Sequence, residues 1–249
     1  VETVSLSDFA AGESIRNKAR ALAAEPDWKL DDFLQPETSS FQSQSLQAGP
    51  LSSGDNPPHR QYNTYFGYLH SHSELSDGEG SPAAAYAYAR DQGGLDFFAL
   101  SDHGELLDLW PWEDEWDELV DAAHNAYVPG SFATLWGFEW SSPIYGHVTV
   151  LNTQDFTDCI SEDSINDLYH WLIPQPEAFG HHNHPGDYDD FGEEFQHLKY
   201  FPQVVAQMVG IENFNGNSSF DKYYYSGSWS SDVYSYWDAG NRKGWYLGA

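Results

Sequence analysis

The chain has 249 residues, 40% of them hydrophobic and 16% aromatic, which is enough to bury a full core and excludes a disordered polymer. Its 39 acidic residues against 10 basic ones give a net charge of −29, which repels nucleic acid and anionic membranes and suits either plain solubility or a halophilic, salt-adapted setting. The single cysteine, Cys159, excludes an intrachain disulfide and any Cys-rich zinc motif, and no apolar run is long enough to span a membrane.

In chain order, residues 1–64 read as an N-terminal extension wrapping a domain at 65–249. The start at Val1, without methionine or signal peptide, fits an exported protein, extracellular or periplasmic, whose leader has been removed. It equally fits an expressed fragment. An alanine-rich helix is expected over 10–24. The Ser-, Gln-, Gly- and Pro-rich stretch 35–58 reads as an extended surface segment. The α/β pattern begins at Tyr65, in an apolar run that ends at His70-Ser71-His72 and turns at Asp77-Gly78. Residues two apart on a strand share a face, so His70 and His72 point the same way.

Ser81 is placed to cap a helix with Pro82 at its first position, running through 83–92 and stopping at Gly93-Gly94. A second strand, 95–100, runs into Asp102-His103. An acidic helix follows at 112–126, then a third strand, 132–140, carrying Glu139. A fourth strand, 147–152, begins at His147 across a short loop. A helix at 162–172 precedes a short strand, 178–181, which leads into His182-Asn183-His184-Pro185-Gly186. A strand at 209–213, an aromatic, partly helical stretch at 223–238 and a last strand at 244–248 complete the pattern. Strands alternating with helices predict an α/β fold with a mainly parallel sheet or barrel.

Ligand-type side chains at the ends of successive strands converge at one mouth of such a sheet. Any one of these histidines alone is more often structural. Seven metal-type residues together, His70, His72, Asp77, His103, Glu139, His147 and His184, point to a multinuclear site. Histidine mixed with carboxylate suits zinc first, then manganese or iron, whereas magnesium or calcium sites are nearly all oxygen. Glu212 and Asn213 end a strand near the same mouth and read equally well as structural.

These motifs resemble the PHP family, the polymerase and histidinol phosphatase superfamily of metal-dependent phosphoesterases. The resemblance covers about 65–249. It rests on His70-Ser71-His72-Ser73 with Ser76-Asp77-Gly78, Leu100-Ser101-Asp102-His103, Gly137-Phe138-Glu139-Trp140, Gly146-His147-Val148 and His184-Pro185-Gly186. The Tyr65-Phe66-Gly67 lead-in is similar to an exported PHP-like branch. The resemblance implies a distorted (β/α)7 barrel holding two or three divalent metals. His70, His72 and Glu139 would bind the first. Glu139 would bridge to a second, also held by His147 and His184, and Asp77 and His103 would bind a third. Asp102 would orient a ligand from behind or hold a charge, and His182 would either touch substrate or metal or merely flank the site.

Two departures stand out. Tyr68 occupies the place where the exported branch usually has Asp. The family's last Gly-x-Asp-x-His motif is absent, so a missing C-terminal segment or a second polypeptide is expected to complete the site. The activity implied is hydrolysis of a small phosphomonoester by a metal-bound hydroxide, with His182 or His103 protonating the leaving alkoxide. One rival is an amidohydrolase-like metal enzyme, although Glu139 stands where those enzymes commonly use lysine. The other is a degenerate barrel that binds carbohydrate or protein through its many aromatic rings.

Overall fold

The apolar runs lie side by side in chain order. The structure, a computed structural model, describes residues 64–108, 114–213, 229 and 235–248. The expected helix at 10–24, the extended segment at 35–58 and most of 223–238 lie outside the described residues. Among the described residues six strands form one curled sheet, in the order β1 (Gly67–Tyr68), β2 (Phe97–His103), β3 (Ala133–Ser142), β4 (Gly146–Leu151), β5 (Phe179–His182) and β6 (Met208–Ile211). The sheet is compatible with a distorted α/β barrel, and the six strands among the described residues do not confirm the expected count of seven. In place of a strand at 244–248 there is one parallel bridge, between Gly210 and Gly248.

The sheet is less parallel than expected. β1–β2, β2–β3 and β5–β6 are parallel, whereas β4 runs antiparallel to both β3 and β5. The cause is local. Only residues 143–145 separate β3 from β4, too few for a parallel crossover. Gly146 closes the hairpin at φ +81, and a Cβ there would lie 2.7 Å from the Phe195 ring. This reversal brings the start of β4 to the mouth where β1, β2 and β3 end.

Helices pack outside the sheet. α1 (Pro82–Asp91) begins as expected, with Ser81 Oγ accepting from Ala84 N at 3.3 Å and Pro82 in the first turn. α2 (Glu115–Ala126) buries Leu119, Ala122 and Ala123 against Phe98 and Leu100 of β2. α3 (Ile165–Leu172) is capped by Ser164 and buries Ile165, Leu168 and Leu172 with Phe138, Trp140, Val148 and Val150. α4 (Tyr236–Arg242) starts with a capping box between Ser235 and Asp238. No helix among the described residues is long and apolar enough to cross a membrane.

Strand alternation then sorts chemistry from packing. Phe138 and Trp140 face α3, so Glu139 and Ser141 face the other way. Phe98 and Leu100 face α1 and α2, which turns His103 to the inner side.

Candidate metal centre

Glu139 is the hub. It sits mid-sheet on β3, its side chain 1% exposed, and five histidine nitrogens surround its carboxylate. Oε1 lies 3.1 Å from His70 Nε2, 3.3 Å from His147 Nδ1 and 3.4 Å from His184 Nε2. Oε2 lies 3.3 Å from His72 Nε2 and 3.0 Å from His103 Nδ1. Asp77 closes the Oε2 side, 2.6 Å from His72 Nδ1 and 3.6 Å from His103 Nε2. All seven expected metal-type residues therefore meet in one place. Three overlapping sets have the proximity needed to hold an ion: His70–His72–Glu139, His72–Asp77–His103 and His103–Glu139–His147.

Burial and charge compete throughout the cluster. Burial alone favours a neutral Glu139, yet the charge on His70 and the close approach of the His147 and His184 rings hold its carboxyl well below the usual range. Burial likewise pushes His70 down, but Glu139 and Glu212 outweigh it and hold His70 well above an ordinary histidine. Burial also opposes charge on His72, while Asp77 and Glu139 raise it to about 9. For Asp77 burial is outweighed by His103 and His72, which hold its carboxyl far below the ordinary value. The cluster draws positive charge toward one buried carboxylate.

Divalent cations fit these residues. Among the described residues His72 Nε2 and His147 Nδ1 are buried without a hydrogen-bond partner, although each points at Glu139. A buried polar atom without a partner is costly, and bound ions would satisfy both. Ligand atoms ~2.1 Å from one tetrahedral cation lie ~3.4 Å apart. The 3.0–3.4 Å nitrogen–oxygen spacings around Glu139 have that scale. The nitrogen-and-carboxylate donor set suits a transition metal better than magnesium or calcium.

A second ring of residues holds the ligands in place. Glu212 Oε1 lies 2.7 Å from His70 Nδ1, while its Oε2 accepts the His184 backbone N–H at 2.7 Å. Burial would raise the Glu212 carboxyl, but His70 outweighs it and holds it at about 2. The Asn183 amide donates to Glu139 Oε1 at 2.6 Å and to Thr149 Oγ1 at 3.0 Å. Ser141 Oγ lies 2.5 Å from His103 Nδ1. Asp102 makes no direct contact with a ligand atom. It accepts Ser73 N at 2.7 Å, Ser73 Oγ at 2.9 Å and Ser76 Oγ at 2.6 Å, and so pins the turn between His72 and Asp77. These partners were not legible as a set. Glu212 was left open in the sequence, and Asn183 and Ser141 carry no periodic signal.

His182 is the main correction. Its Nε2 lies 3.0 Å from Tyr169 Oη, and its ring packs against Phe195 and Trp245 in the core. Burial drives its pKa down to about 3. His181, one residue earlier, faces the cluster side, its ring 6.2 Å from that of His70. The register of β5 turns His182 toward the core, away from the Glu139 cluster. Another unforeseen neighbour is Tyr188, whose ring stacks on His147 at 4.1 Å and 23°.

Comparison with known proteins is sparse. Residues 101–155 match a family described as a protein of unknown function, DUF3604. That span holds Asp102, His103, Glu139 and His147. No curated protein matches the chain. A Bacteroides vulgatus two-domain protein, described as containing a predicted PHP-like metal-dependent phosphoesterase, aligns with 24% identity and a TM-score of 0.44. The alignment covers 62% of this chain and 46% of that one. PsfC from Pseudomonas syringae aligns with 14% identity and a TM-score of 0.36, over 60% of this chain and 64% of its own. The chain thus spans less than two thirds of either protein. Both scores are low, and the site reading rests on this chain's own side chains.

Proposed function

We propose that this chain carries the metal centre of a hydrolase that cleaves small phosphomonoesters. The observation that carries the reading is the buried Glu139 carboxylate ringed by five histidine nitrogens at 3.0–3.4 Å. Bound divalent cations, zinc by preference, would activate a water and offset the negative charge of the phosphoryl oxygens. His70, His147 and His184 would hold one ion on the Oε1 side of Glu139. His72 Nε2 and His103 Nδ1 would hold another on the Oε2 side, with Asp77 behind their rings at His72 Nδ1 and His103 Nε2. This grouping moves His72 from its expected place beside His70 toward Asp77, whose carboxylate lies 2.6 Å from it.

The cluster itself consists of histidine and carboxylate, so the attraction for an anionic ester comes from the cations. Glu212 and Asn183 fix His70 and Glu139, and Asp102 fixes the turn that presents Asp77. A glutamate hub able to serve two ions favours phosphoryl chemistry over the lysine-bridged amide hydrolases. The test is turnover of a panel of phosphomonoesters, amides and carboxylic esters after loading with zinc or manganese. Chelator-sensitive release of phosphate alone supports the reading. Release only from amides or esters, or from nothing, rejects it.

We also infer that one more strand completes the centre. Support comes from a cavity of about 420 Å³ between β1 and β6, lined by Gly67, His70, Phe97, His181, Ile211 and Glu212 among others. The two edges run parallel, and Gly248 already bonds to β6 through Val209 O (2.7 Å) and Ile211 N (3.0 Å). A strand in that slot would end beside His70 and Glu212. Fusing an Asp-x-His strand after Gly248 should raise metal stoichiometry and turnover together. A fusion that alters neither rejects the completion.

A further inference from the structure

With His182 in the core and the His103 Nδ1 engaged by Ser141 and Glu139, neither expected histidine is left as the acid for the leaving group, and among the described residues another candidate stands at the mouth. Tyr188 lies at the right place. Its ring stacks on His147 at 4.1 Å and lies 5.7 Å from His184, so it covers the Oε1 side of Glu139. It is half-buried, with one side toward solvent. Among the described residues its hydroxyl forms no hydrogen bond, and its backbone supplies the contacts that hold it. Those contacts are firm. The buried Glu194 carboxylate accepts from Gly186 N at 2.6 Å and Tyr188 N at 3.1 Å, and also from Trp229 Nε1. A side chain fixed from both the ring face and the backbone, with its hydroxyl uncommitted, is arranged to meet a ligand.

We propose that the Tyr188 hydroxyl donates the proton to the leaving-group oxygen of the substrate. The inference rests on the phosphomonoester reading above. In the step, water oxygen forms a bond to phosphorus as the bond from phosphorus to the ester oxygen breaks. The phenolic proton moves to the departing oxygen, which leaves as an alcohol. The proton lost by the attacking water returns to the phenolate through solvent, so water and ester become alcohol and phosphate with no redox change. An alkoxide is a far stronger base than a phenolate, so the transfer runs downhill for alkyl esters. A nitrophenolate leaves readily without a proton, so it gains much less.

That asymmetry supplies the test. Tyr188→Phe keeps the ring on His147 and removes only the hydroxyl. Rates are measured for wild type and variant, both loaded with zinc, on glycerol phosphate and on nitrophenyl phosphate. Metal content and melting temperature are recorded alongside. The expected result is a rate loss about 10²-fold larger on the alkyl ester than on the aryl ester, within the usual range for general acid catalysis. Equal losses on the two esters, or no loss on either, overturn the proposal. A wild type that is inactive on every phosphomonoester overturns the phosphoesterase reading and the donor role with it. An active wild type with a leaving-group-independent variant overturns the donor role alone.

Discussion

The two oxygens of Glu139 have different surroundings. On the Oε1 side, His147 sits on β4 and His184 follows β5, and the supports behind them at strand ends are the buried Asn183 and the partly buried Glu212. On the Oε2 side, His72 and His103 lean on Asp77, whose side chain is 30% exposed and sits in a turn. That turn is held by hydrogen bonds to Asp102. Each half has one ligand on a strand, His147 on β4 and His103 at the end of β2, but only the Oε2 half also depends on a carboxylate carried by a turn. A preorganised ligand set loses less freedom on binding, so the Oε1 half should load first and release last.

The largest expected effect erases the difference between the halves. Glu139→Gln keeps the shape but removes the charge shared by both. Turnover should fall by about 10³-fold, and both ions should be lost together in metal analysis. Retention of one full equivalent would show that Glu139 serves only one half. Asp77→Asn sharpens the contrast instead. It should weaken the second ion by about 10²-fold while leaving the first in place. Calorimetric titration showing both ions weakened alike would merge the halves into one site.

How much of this arrangement was readable follows from geometry. Strand alternation turned Glu139 away from Phe138 and Trp140, because a period of two is a local signal, but β1 ends at Tyr68, and His70 and His72 beyond it face different oxygens of Glu139. Ser81-Pro82 marked the start of α1 for the same kind of reason. His147 was read as a candidate, but the reversal of β4 was missed, although its short connection forbids a parallel crossover. The faces of β5 were not decidable from the sequence. His181 and His182 are adjacent, and a one-residue change of register exchanges them, here with an irregularity at Gly180/His181. Glu212 meets His70 across 142 residues, and no local pattern encodes a contact that distant. The helix expected over 10–24 and the extended segment expected over 35–58 lie outside the described residues.

Smaller effects probe the supports. Glu212→Gln should weaken the Oε1 ion by about 10-fold, since it loosens His70 and the His184 backbone without removing a ligand. An effect confined to the Asp77 half would reverse the assignment. Salt should act elsewhere again. Screening the −29 net charge should raise the melting temperature between low salt and about 1 M, where the Debye length falls to ~3 Å. A flat or falling melting temperature would reject self-repulsion as a significant destabilising force and, with it, salt adaptation.

The central claim, that Glu139 joins two ion sites, is tested most directly by anomalous scattering from crystals of zinc-loaded protein. The account predicts two strong peaks, one among His70, His147, His184 and Glu139 Oε1, the other among His72, His103 and Glu139 Oε2, with Asp77 behind the His72 ring. Peaks away from Glu139, or none after loading, would contradict it.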